Sequence, residues 1–371
     1  MGAFLTQNQV RALVDQYIER ERNAPSPQEI LDSGIIPRLK GYIVRPGKVS
    51  DSIFGGSGDY FDKKSGNKVE FENPPLETKD GTPLRIMVRT QRISTHDINR
   101  GEIPFKDQIL ATNHNFMRRM LSDAMGTSQL EVDGLADNSI VIAAENLRQI
   151  PFENVLRAYM AKSTTSTSLY QHYIKGEREF CGHTLTGDLI PNGPLPYIMD
   201  TPSTKSDEHD ESVSPRQLFA SSICTPNQYT EIRNGSLVAF GMVSQFLRER
   251  GLIAVDTKTE HGITKNGKIV SQDEIWTMDS SRFWLLDDYD EQMAKLRRGE
   301  IQELNPKSYS KEFARGFSEG ERGYSAEQRA QISVRYIEGL QHLLGRKFEP
   351  DTRSTEERIV SGLEKITYQL L

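Results

Sequence analysis

The spacing of apolar residues predicts strands and helices interleaved along the chain. Helical spacing, with apolar residues three and four positions apart, recurs at both ends and in the middle of the sequence. The predicted helices are 6–23, a short one starting at Ser26-Pro27, 109–125, 227–250, 288–298, 308–317, 327–344 and 356–370. The predicted strands are one that starts at 39 and runs into the bend at 46–49, followed by 84–89, 139–144, 252–260 and 268–275. This pattern alone does not distinguish between different mixed folds.

The strand that begins at Leu252 carries the strongest chemical signal. Beyond its apolar start, Asp256, Lys258 and Glu260 fall on one face, because side chains alternate across a strand. An Asn-Gly hairpin turn at 266–267 then reverses the chain, and the return strand brings Asp273 back toward them. Two carboxylates beside a lysine suit Mg²⁺ that carries phosphate oxygens. A solvated charged face is the other interpretation of this pattern.

The residues after this hairpin favour an anionic substrate. Ser281 offers a hydroxyl, and Arg282 offers a planar guanidinium that can bind a carboxylate or phosphate through two hydrogen bonds. A nearby phosphate-loop pattern, residues 262–269, fails because Ile269 stands where serine or threonine is needed. The Asn-Gly turn explains those residues better.

Composition narrows the class of protein. The chain has 371 residues and a net charge of −6, so we expect neither nucleic acid nor an anionic membrane as a partner. Its apolar runs fall short of the ~20 residues of a membrane span, and the N-terminus does not resemble a secretory signal. Cys181 and Cys224 are the two cysteines, a number that fits a reducing compartment. We therefore expect a cytoplasmic protein.

The chemical signals lie in two motifs that resemble one family. DTKTEHG followed by DEIWTMDSSRFW is similar to the DTKFEFG and DEVLTPDSSRFW of the phosphoribosylaminoimidazole-succinocarboxamide synthases, or SAICAR synthetases. The resemblance extends over roughly residues 39–344. It implies a two-lobed α+β fold, with ATP in the cleft between a sheet-rich N-terminal lobe and a larger mixed C-terminal lobe. The corresponding division is a helical extension at 1–38, the ATP-binding lobe at 39–148 and the C-terminal lobe at 149–371.

Four further segments carry the resemblance, and three of them contain a departure. The family's GKVRDIY is matched at Gly47, Lys48 and Val49, but Ser50 replaces the arginine. The sequence QRISTHD at 91–97 is similar to DRISAFD. The other two segments, IPFENVLRAYMAKS at 150–163 and TPSTK at 201–205, are similar to IPLEVIVRGYLTGS and TPSTK. The replacements within these segments are Gln91 for aspartate, and Ala158 and Lys162 for glycines, which we expect to narrow or recharge the pocket.

The resemblance implies a ligase that joins L-aspartate to carboxyaminoimidazole ribotide through an acyl phosphate, with ATP converted to ADP and phosphate. It implies Mg²⁺ on Glu260 and Asp273, and phosphates covered by the loop at 47–49. Lys258 would pair with the transferred phosphoryl group or the substrate carboxylate, and Asp256 would orient the imidazole amine or act as a base. The implied substrate-binding residues are Arg92, Ser94, Arg157, Ser163, Lys205, Ser281 and Arg282. The adenine is expected near residues 144–149.

Several alternatives stay open at this point. One is a related acyl-phosphate ligase with another amine or carboxylate, and another is a non-catalytic nucleotide-binding homologue. For the oligomeric state, both a monomer and a homodimer stay open. A cluster at His209, Asp210 and Glu211 is interpreted as a structural or substrate-closing loop rather than a metal site. Polar residues of the helix at 109–125, namely Asn113, Asn115 and Arg118, are expected at the surface, and no chemistry is assigned after Trp284.

Overall fold

The computed structural model describes residues 4–20, 24–62, 67–96, 98–205 and 210–371. The helices are α1 (Gln7–Arg20), α2 (Pro27–Asp32), α3 (Lys106–Met120), α4 (Leu169–Ile174), α5 (Pro215–Ala220), α6 (Pro226–Arg248), α7 (Leu286–Arg297), α8 (Glu312–Arg315), α9 (Ala326–Leu344) and α10 (Thr355–Leu370). The strands are β1 (Ser50–Phe54), β2 (Gly56–Asp62), β3 (Asn67–Asn73), β4 (Leu84–Arg89), β5 (Arg92–Thr95), β6 (Ile98–Glu102), β7 (Val141–Glu145), β8 (Arg148–Tyr159), β9 (Glu179–Phe180), β10 (His183–Thr184), β11 (Pro194–Asp200), β12 (Ser203–Thr204), β13 (Leu252–Ile263), β14 (Ile269–Gln272), β15 (Ser281–Leu285) and β16 (Ser308–Tyr309).

The N-terminal lobe is built on the antiparallel sheet β1-β4-β7. Alternate side chains of this sheet, among them Ile53, Ile86 and Val141, pack into one hydrophobic core. The opposite face carries Arg85 and Met87, which line a cavity toward the C-terminal lobe. The sheet thus has one face in the core and one face toward the cleft.

The C-terminal lobe is built on a larger sheet in which β13 is central. Its order is β11-β8-β13-β15-β16, with β12 paired to β8 and β14 paired to β13, and the pairings are antiparallel. Helices α3, α6 and α9 contribute to the core beside it. The predicted two-lobed α+β fold is confirmed, and its central strand is the one with the charged face.

The hairpin after β13 forms at the predicted place. Gly267 adopts a φ of +79°, and the Thr264 amide bonds to the Lys268 carbonyl at 2.9 Å. The return strand is shorter than the predicted 268–275, because regular pairing ends at Gln272 and Asp273 turns to a φ of 59°. This early end of the strand creates the turn that carries Asp273.

Two other predictions along the chain are wrong. The segment 308–317 is a short strand, β16, followed by the single turn α8, rather than one helix. Strand β16 pairs with β15, and this long-range pairing overrides the local helical spacing. Asn113, Asn115 and Arg118 are buried rather than at the surface. They bond to Trp276, Asp137 and Glu131 in loops that cover this side of α3.

The hydrophobic cores cross the predicted lobe boundaries at both ends of the chain. Helix α1 packs against α9, with Val10, Val14 and Tyr17 in the larger core. Helix α10 instead packs on β7, in the core of the N-terminal lobe. The predicted division of the chain after residues 38 and 148 stays a prediction. At α1 and α10, the packing of the helices does not follow that division. Among the helices that the structure describes, none combines the length and apolar character that a membrane crossing needs.

Candidate active site

Two adjoining cavities lie along the charged face of β13. The arginine cavity, of ≈ 350 Å³, is lined by basic side chains, hydroxyls and carboxylates. The basic and hydroxyl residues include Arg157, Arg282, Arg315, Lys311, Ser163 and Ser281, and the carboxylates are Glu153, Asp210, Asp256, Asp279 and Glu312. The carboxylate cavity, of ≈ 470 Å³, is lined chiefly by Glu260, Asp273, Glu274, Arg85, Lys205 and the loop at 45–50. Lys48 and Lys258 line both cavities, so the two spaces adjoin at these lysines.

The alternating face of β13 is confirmed by the contacts of its side chains. The Lys258 ammonium lies 3.2 Å from Glu260 and 2.5 Å from Glu153. Burial acts to lower the pKa of Lys258, but the Glu153 and Glu260 carboxylates outweigh it and raise the pKa above its ordinary value. Lys258 therefore stays charged at neutral pH.

Glu260 is paired with two lysines in the carboxylate cavity. Lys205 and Lys258 both form ion pairs with it. Burial acts to raise the pKa of Glu260, but these two lysines lower it to about 2. Glu260 is consequently ionised at neutral pH.

Asp273 joins Glu260 in the same cavity, as the hairpin predicts. Arg85, on β4 of the opposite lobe, lies close enough to both acids for them to raise its pKa, although burial dominates and lowers that pKa overall. Its guanidinium also donates to Ser52 at 2.9 Å. Arg85 is a residue that sequence reasoning missed, since nothing local distinguishes it from other arginines of strands.

Asp256 lies between the two arginines that line the arginine cavity. Arg282 Nε donates to Asp256 at 2.9 and 3.0 Å, and Arg157 lies 3.3 Å from the same carboxylate. Burial acts to raise the pKa of Asp256, but Arg282 and Arg157 lower it below its ordinary value. Two guanidiniums share one carboxylate here, which leaves positive charge for a bound anion.

The two predicted serines bring hydroxyls to this charge. Ser163 Oγ donates to Glu312 at 3.1 Å, and Ser281 Oγ lies 2.8 Å from Thr257 Oγ1. Both serines line the arginine cavity, as does Ser94. The structure therefore groups Ser94, Arg157, Ser163, Ser281 and Arg282 around one space.

The loop before β1 is shaped by a glycine. A Cβ on Gly47 would lie 2.3 Å from the Ser50 carbonyl oxygen, so no other residue fits without movement of the loop. Lys48 extends from this loop into both cavities, and Val49 lines the carboxylate cavity. Arg92 lines neither cavity in the described structure. It binds the Gly47 carbonyl at 3.0 Å and forms an ion pair with Asp51, so it supports the loop.

Residues after Trp284 also reach the site, contrary to the prediction. Pairing of β16 with β15 carries Ser310, Lys311, Glu312 and Arg315 into the arginine cavity. Glu312 lies 3.7 Å from Arg282, and Lys311 lies 3.7 Å from Asp279. No short sequence motif identifies these residues, because it is the long-range pairing of β16 with β15 that brings them to the cavity. Two residues of the predicted motifs, Asp97 and His209, lie outside the described residues.

The side chain of Lys162 does not narrow the arginine cavity. Its ammonium lies 2.7 Å from Glu303, and only its backbone takes part, through the carbonyl that accepts from Arg282 at 3.0 Å. Ala158 packs against the larger core. Neither residue appears among those that line the cavity. The expectation that they recharge the pocket is therefore wrong.

Replacing Lys162 by glycine is expected to change substrate binding little, because the variant keeps the backbone carbonyl that Arg282 uses. We expect the KM of each substrate to stay within about twofold, since the lost Glu303 pair is exposed and weak. Steady-state kinetics measures this, with Glu303→Gln as the control that removes the same pair from the other side. A KM change of tenfold or more in Lys162→Gly alone would contradict the assignment.

Comparison with known proteins identifies the family. Residues 77–330 match the SAICAR synthetase family. A chloroplastic phosphoribosylaminoimidazole-succinocarboxamide synthase of Arabidopsis thaliana is 30% identical over 93% of this chain and 83% of its own length. The synthase of Legionella pneumophila (strain Paris) is 31% identical over 82% of this chain and 96% of its own length.

Solved structures show the same fold. The Saccharomyces cerevisiae SAICAR synthase, in complex with SAICAR, superposes with a TM-score of 0.62 at 22% identity, over 83% of this chain and 97% of that one. A SAICAR synthetase in complex with ADP gives a TM-score of 0.56 at 20% identity, over 83% of this chain and 100% of its own length. With the matched family region and the relatives in sequence, these likenesses show that the chain belongs to the SAICAR synthetase family, the ligases of purine biosynthesis.

Proposed function

We propose that this chain joins L-aspartate to carboxyaminoimidazole ribotide and converts ATP to ADP and phosphate. The observation that carries the proposal is the pair of adjoining cavities with Lys48 and Lys258 on both. One cavity suits a nucleotide and the other suits a phosphorylated, carboxylated substrate. Family membership supports the same reaction, since the relatives are named for its product.

The carboxylate cavity takes ATP in this proposal. Gly47, Lys48 and Val49 cover the phosphates, since the glycine lets the backbone approach closely and the lysine pairs with the negative charge. The adenine packs against Met87, Ile142 and Ala144, a small apolar cluster on the cleft face of the N-terminal sheet. The SAICAR synthetase solved with ADP has the same fold, which supports a nucleotide in this cleft.

The donors of the carboxylate cavity fit Mg²⁺. Glu260 and Asp273 offer oxygen atoms in one cavity, and Mg²⁺ characteristically uses one or two carboxylates together with substrate phosphates. The cation would neutralise phosphate charge when bound. Lys205 pairs with Glu260 in the structure, so we propose that Lys205 turns to an anion, either phosphate or the aspartate substrate, when Glu260 takes the cation.

The arginine cavity takes the ribotide. Arg157, Ser163, Ser281 and Arg282 hold its phosphate and carboxylate, with the surplus positive charge described above. Lys311 and Arg315 lie on the same cavity and add to that charge. We propose that Asp256 orients the arginines and the imidazole amine. Its lowered pKa makes it a weak proton acceptor, which favours this role over that of a general base.

The chemistry takes place between the two cavities. The ribotide carboxylate attacks the γ-phosphorus of ATP, the bond to the β-phosphate oxygen breaks, and ADP leaves. The aspartate amine then attacks the carbonyl carbon of the acyl phosphate, phosphate leaves, and the amide loses a proton to solvent or phosphate. Lys258, charged and placed on both cavities, pairs with the phosphoryl group during transfer.

The compartment is a proposal of the same kind. Cys181 and Cys224 are free thiols, which agrees with a reducing compartment, and we propose the cytoplasm. The Arabidopsis thaliana relative is named chloroplastic.

ADP release by the purified protein tests the proposed reaction. We expect release that requires Mg-ATP, carboxyaminoimidazole ribotide and L-aspartate together, with the succinocarboxamide product detected by mass. Release with ribotide but without aspartate would mean that the acyl phosphate forms and hydrolyses, and that another amine is the true substrate. No release, with nucleotide still bound, would mean a non-catalytic homologue and would refute the proposal.

A further inference from the structure

The turn that carries Asp273 contains two residues in an uncommon backbone conformation. Asp273 has a φ of 59° and Trp276 a φ of 54°, in the left-handed region that residues other than glycine seldom occupy. A residue in this conformation is strained and persists only where surrounding contacts enforce it. Something outside the turn must therefore hold it.

Helix α3 supplies two contacts to this turn from buried positions. His114 Nδ1 accepts a hydrogen bond from the Ile275 amide at 3.2 Å, and Asn113 Nδ2 donates to the Trp276 carbonyl at 3.1 Å. His114 is 2% exposed and Asn113 is fully buried. These two side chains satisfy neighbouring backbone groups of the turn that have no strand partner.

The histidine is held in the form that this contact needs. Burial is the main cause that lowers the pKa of His114 well below its ordinary value, and nearby Arg89 adds to the effect. The neutral ring presents an unprotonated Nδ1 to Ile275, while Nε2 lies 3.1 Å from Gln129 Oε1 and donates to it. Gln129 in turn donates to Asn115 at 2.9 Å, so these side-chain hydrogen bonds fix the orientation of the His114 ring.

We propose that His114 and Asn113 are positioning residues. They keep Asp273 and Trp276 in the left-handed backbone conformation and thereby hold the Asp273 side chain in the carboxylate cavity. Neither side chain lines that cavity, so they act through the backbone of residues 275 and 276. The inference rests on the proposed function in one respect, which is the assignment of Asp273 to the cation that accompanies the nucleotide. Partners that orient metal-binding carboxylates typically change metal affinity by 10–100-fold when they are removed.

Calorimetric titration of the full-length chain with ADP, with and without Mg²⁺, tests this role without any turnover. Asp273→Asn gives the loss expected when the carboxylate itself is missing. We expect His114→Leu and Asn113→Leu to reduce the gain in ADP affinity that Mg²⁺ provides by about tenfold. ADP affinity without Mg²⁺ should change less than threefold, since neither residue touches the nucleotide cavity.

Two further variants separate positioning from general damage to the core. His114→Gln can still present an acceptor to the Ile275 amide, and we expect it to recover most of the Mg²⁺-dependent gain. Gln341→Leu is the matched control, since Gln341 is a buried amide on α9 that bonds to Leu5 and Phe348, away from the turn. We expect it to lower the melting temperature while leaving the Mg²⁺-dependent gain unchanged.

The possible outcomes distinguish this inference from the proposed function. If the wild type shows the Mg²⁺-dependent gain but forms no succinocarboxamide, the proposed reaction fails and the positioning role is still measured. Folded His114→Leu and Asn113→Leu proteins with a wild-type gain would overturn the positioning role. A wild type in which Mg²⁺ adds nothing to ADP affinity would overturn it as well, and equal losses in Gln341→Leu would reduce it to general stability.

Discussion

Replacing Glu260 by glutamine is expected to lower kcat by about 10³-fold, a loss typical when a preorganised charge at a transferring group is removed. The change keeps the shape of the side chain and removes the negative charge that now pairs with Lys205 and Lys258. Without that charge, Asp273 is the one carboxylate left of the two that we assign to the cation, and Lys205 and Lys258 lose a shared partner. Asp273→Asn should show a loss of the same order.

The measurement is product formation at saturating substrates over a range of Mg²⁺ concentrations. Glu153→Gln is the matched control, because Glu153 also pairs with Lys258 but is not assigned to the cation. We expect this control to lower kcat less and to leave the dependence on Mg²⁺ unchanged. Near-normal activity of folded Glu260→Gln would refute the assignment of Glu260 to the cation. An equal change in the Mg²⁺ dependence of both variants would also refute it, because the loss would then come from the shared pairing with Lys258.

The parts of the site that could be predicted from sequence are those set by local rules. Asp256, Lys258 and Glu260 share a face because alternation is a property of any strand, whatever surrounds it. The glycine at 267 marked the turn, and the turn returned Asp273 to the same cavity as Glu260. The resemblance to the family added roles to these residues, and the geometry agrees with their grouping.

The parts that could not be predicted depend on contacts between distant segments. Lys311 and Arg315 reach the arginine cavity because β16 pairs with β15, and helical spacing in their own segment indicated a different structure. Likewise, Asn113 was expected at the surface of its helix. Loops cover this side of α3 in the fold, and Asn113 and its neighbour His114 satisfy the backbone of the turn at 275–276.

The direction of the Lys162 side chain also could not be predicted from sequence. A glycine-to-lysine change inside a binding motif suggested a pocket altered in charge. In the structure, the Lys162 side chain leaves the strand toward Glu303, while its carbonyl stays where Arg282 needs it. The motif therefore keeps its backbone contribution under a different side chain, which sequence comparison alone does not reveal.

Replacing Arg282 by lysine is expected to raise the KM of the ribotide by about 10–100-fold, the range for loss of a hydrogen bond to a charged group. The guanidinium of Arg282 holds Asp256 through Nε and the Lys162 carbonyl through NH1, and it borders the arginine cavity. A lysine ammonium is a point charge that cannot satisfy these directions and also bind an anion. The KM of Mg-ATP should stay within about threefold.

Steady-state kinetics with each substrate varied in turn measures this difference. Arg233→Lys is the matched control, since Arg233 also pairs with a buried aspartate, Asp200, but lies on neither cavity. We expect it to leave both KM values unchanged. Equal increases for ribotide and Mg-ATP in Arg282→Lys would contradict the assignment of the arginine cavity to the ribotide. A selective effect on the ribotide would tie that cavity to the substrate, because the change alters only the shape of one positive charge.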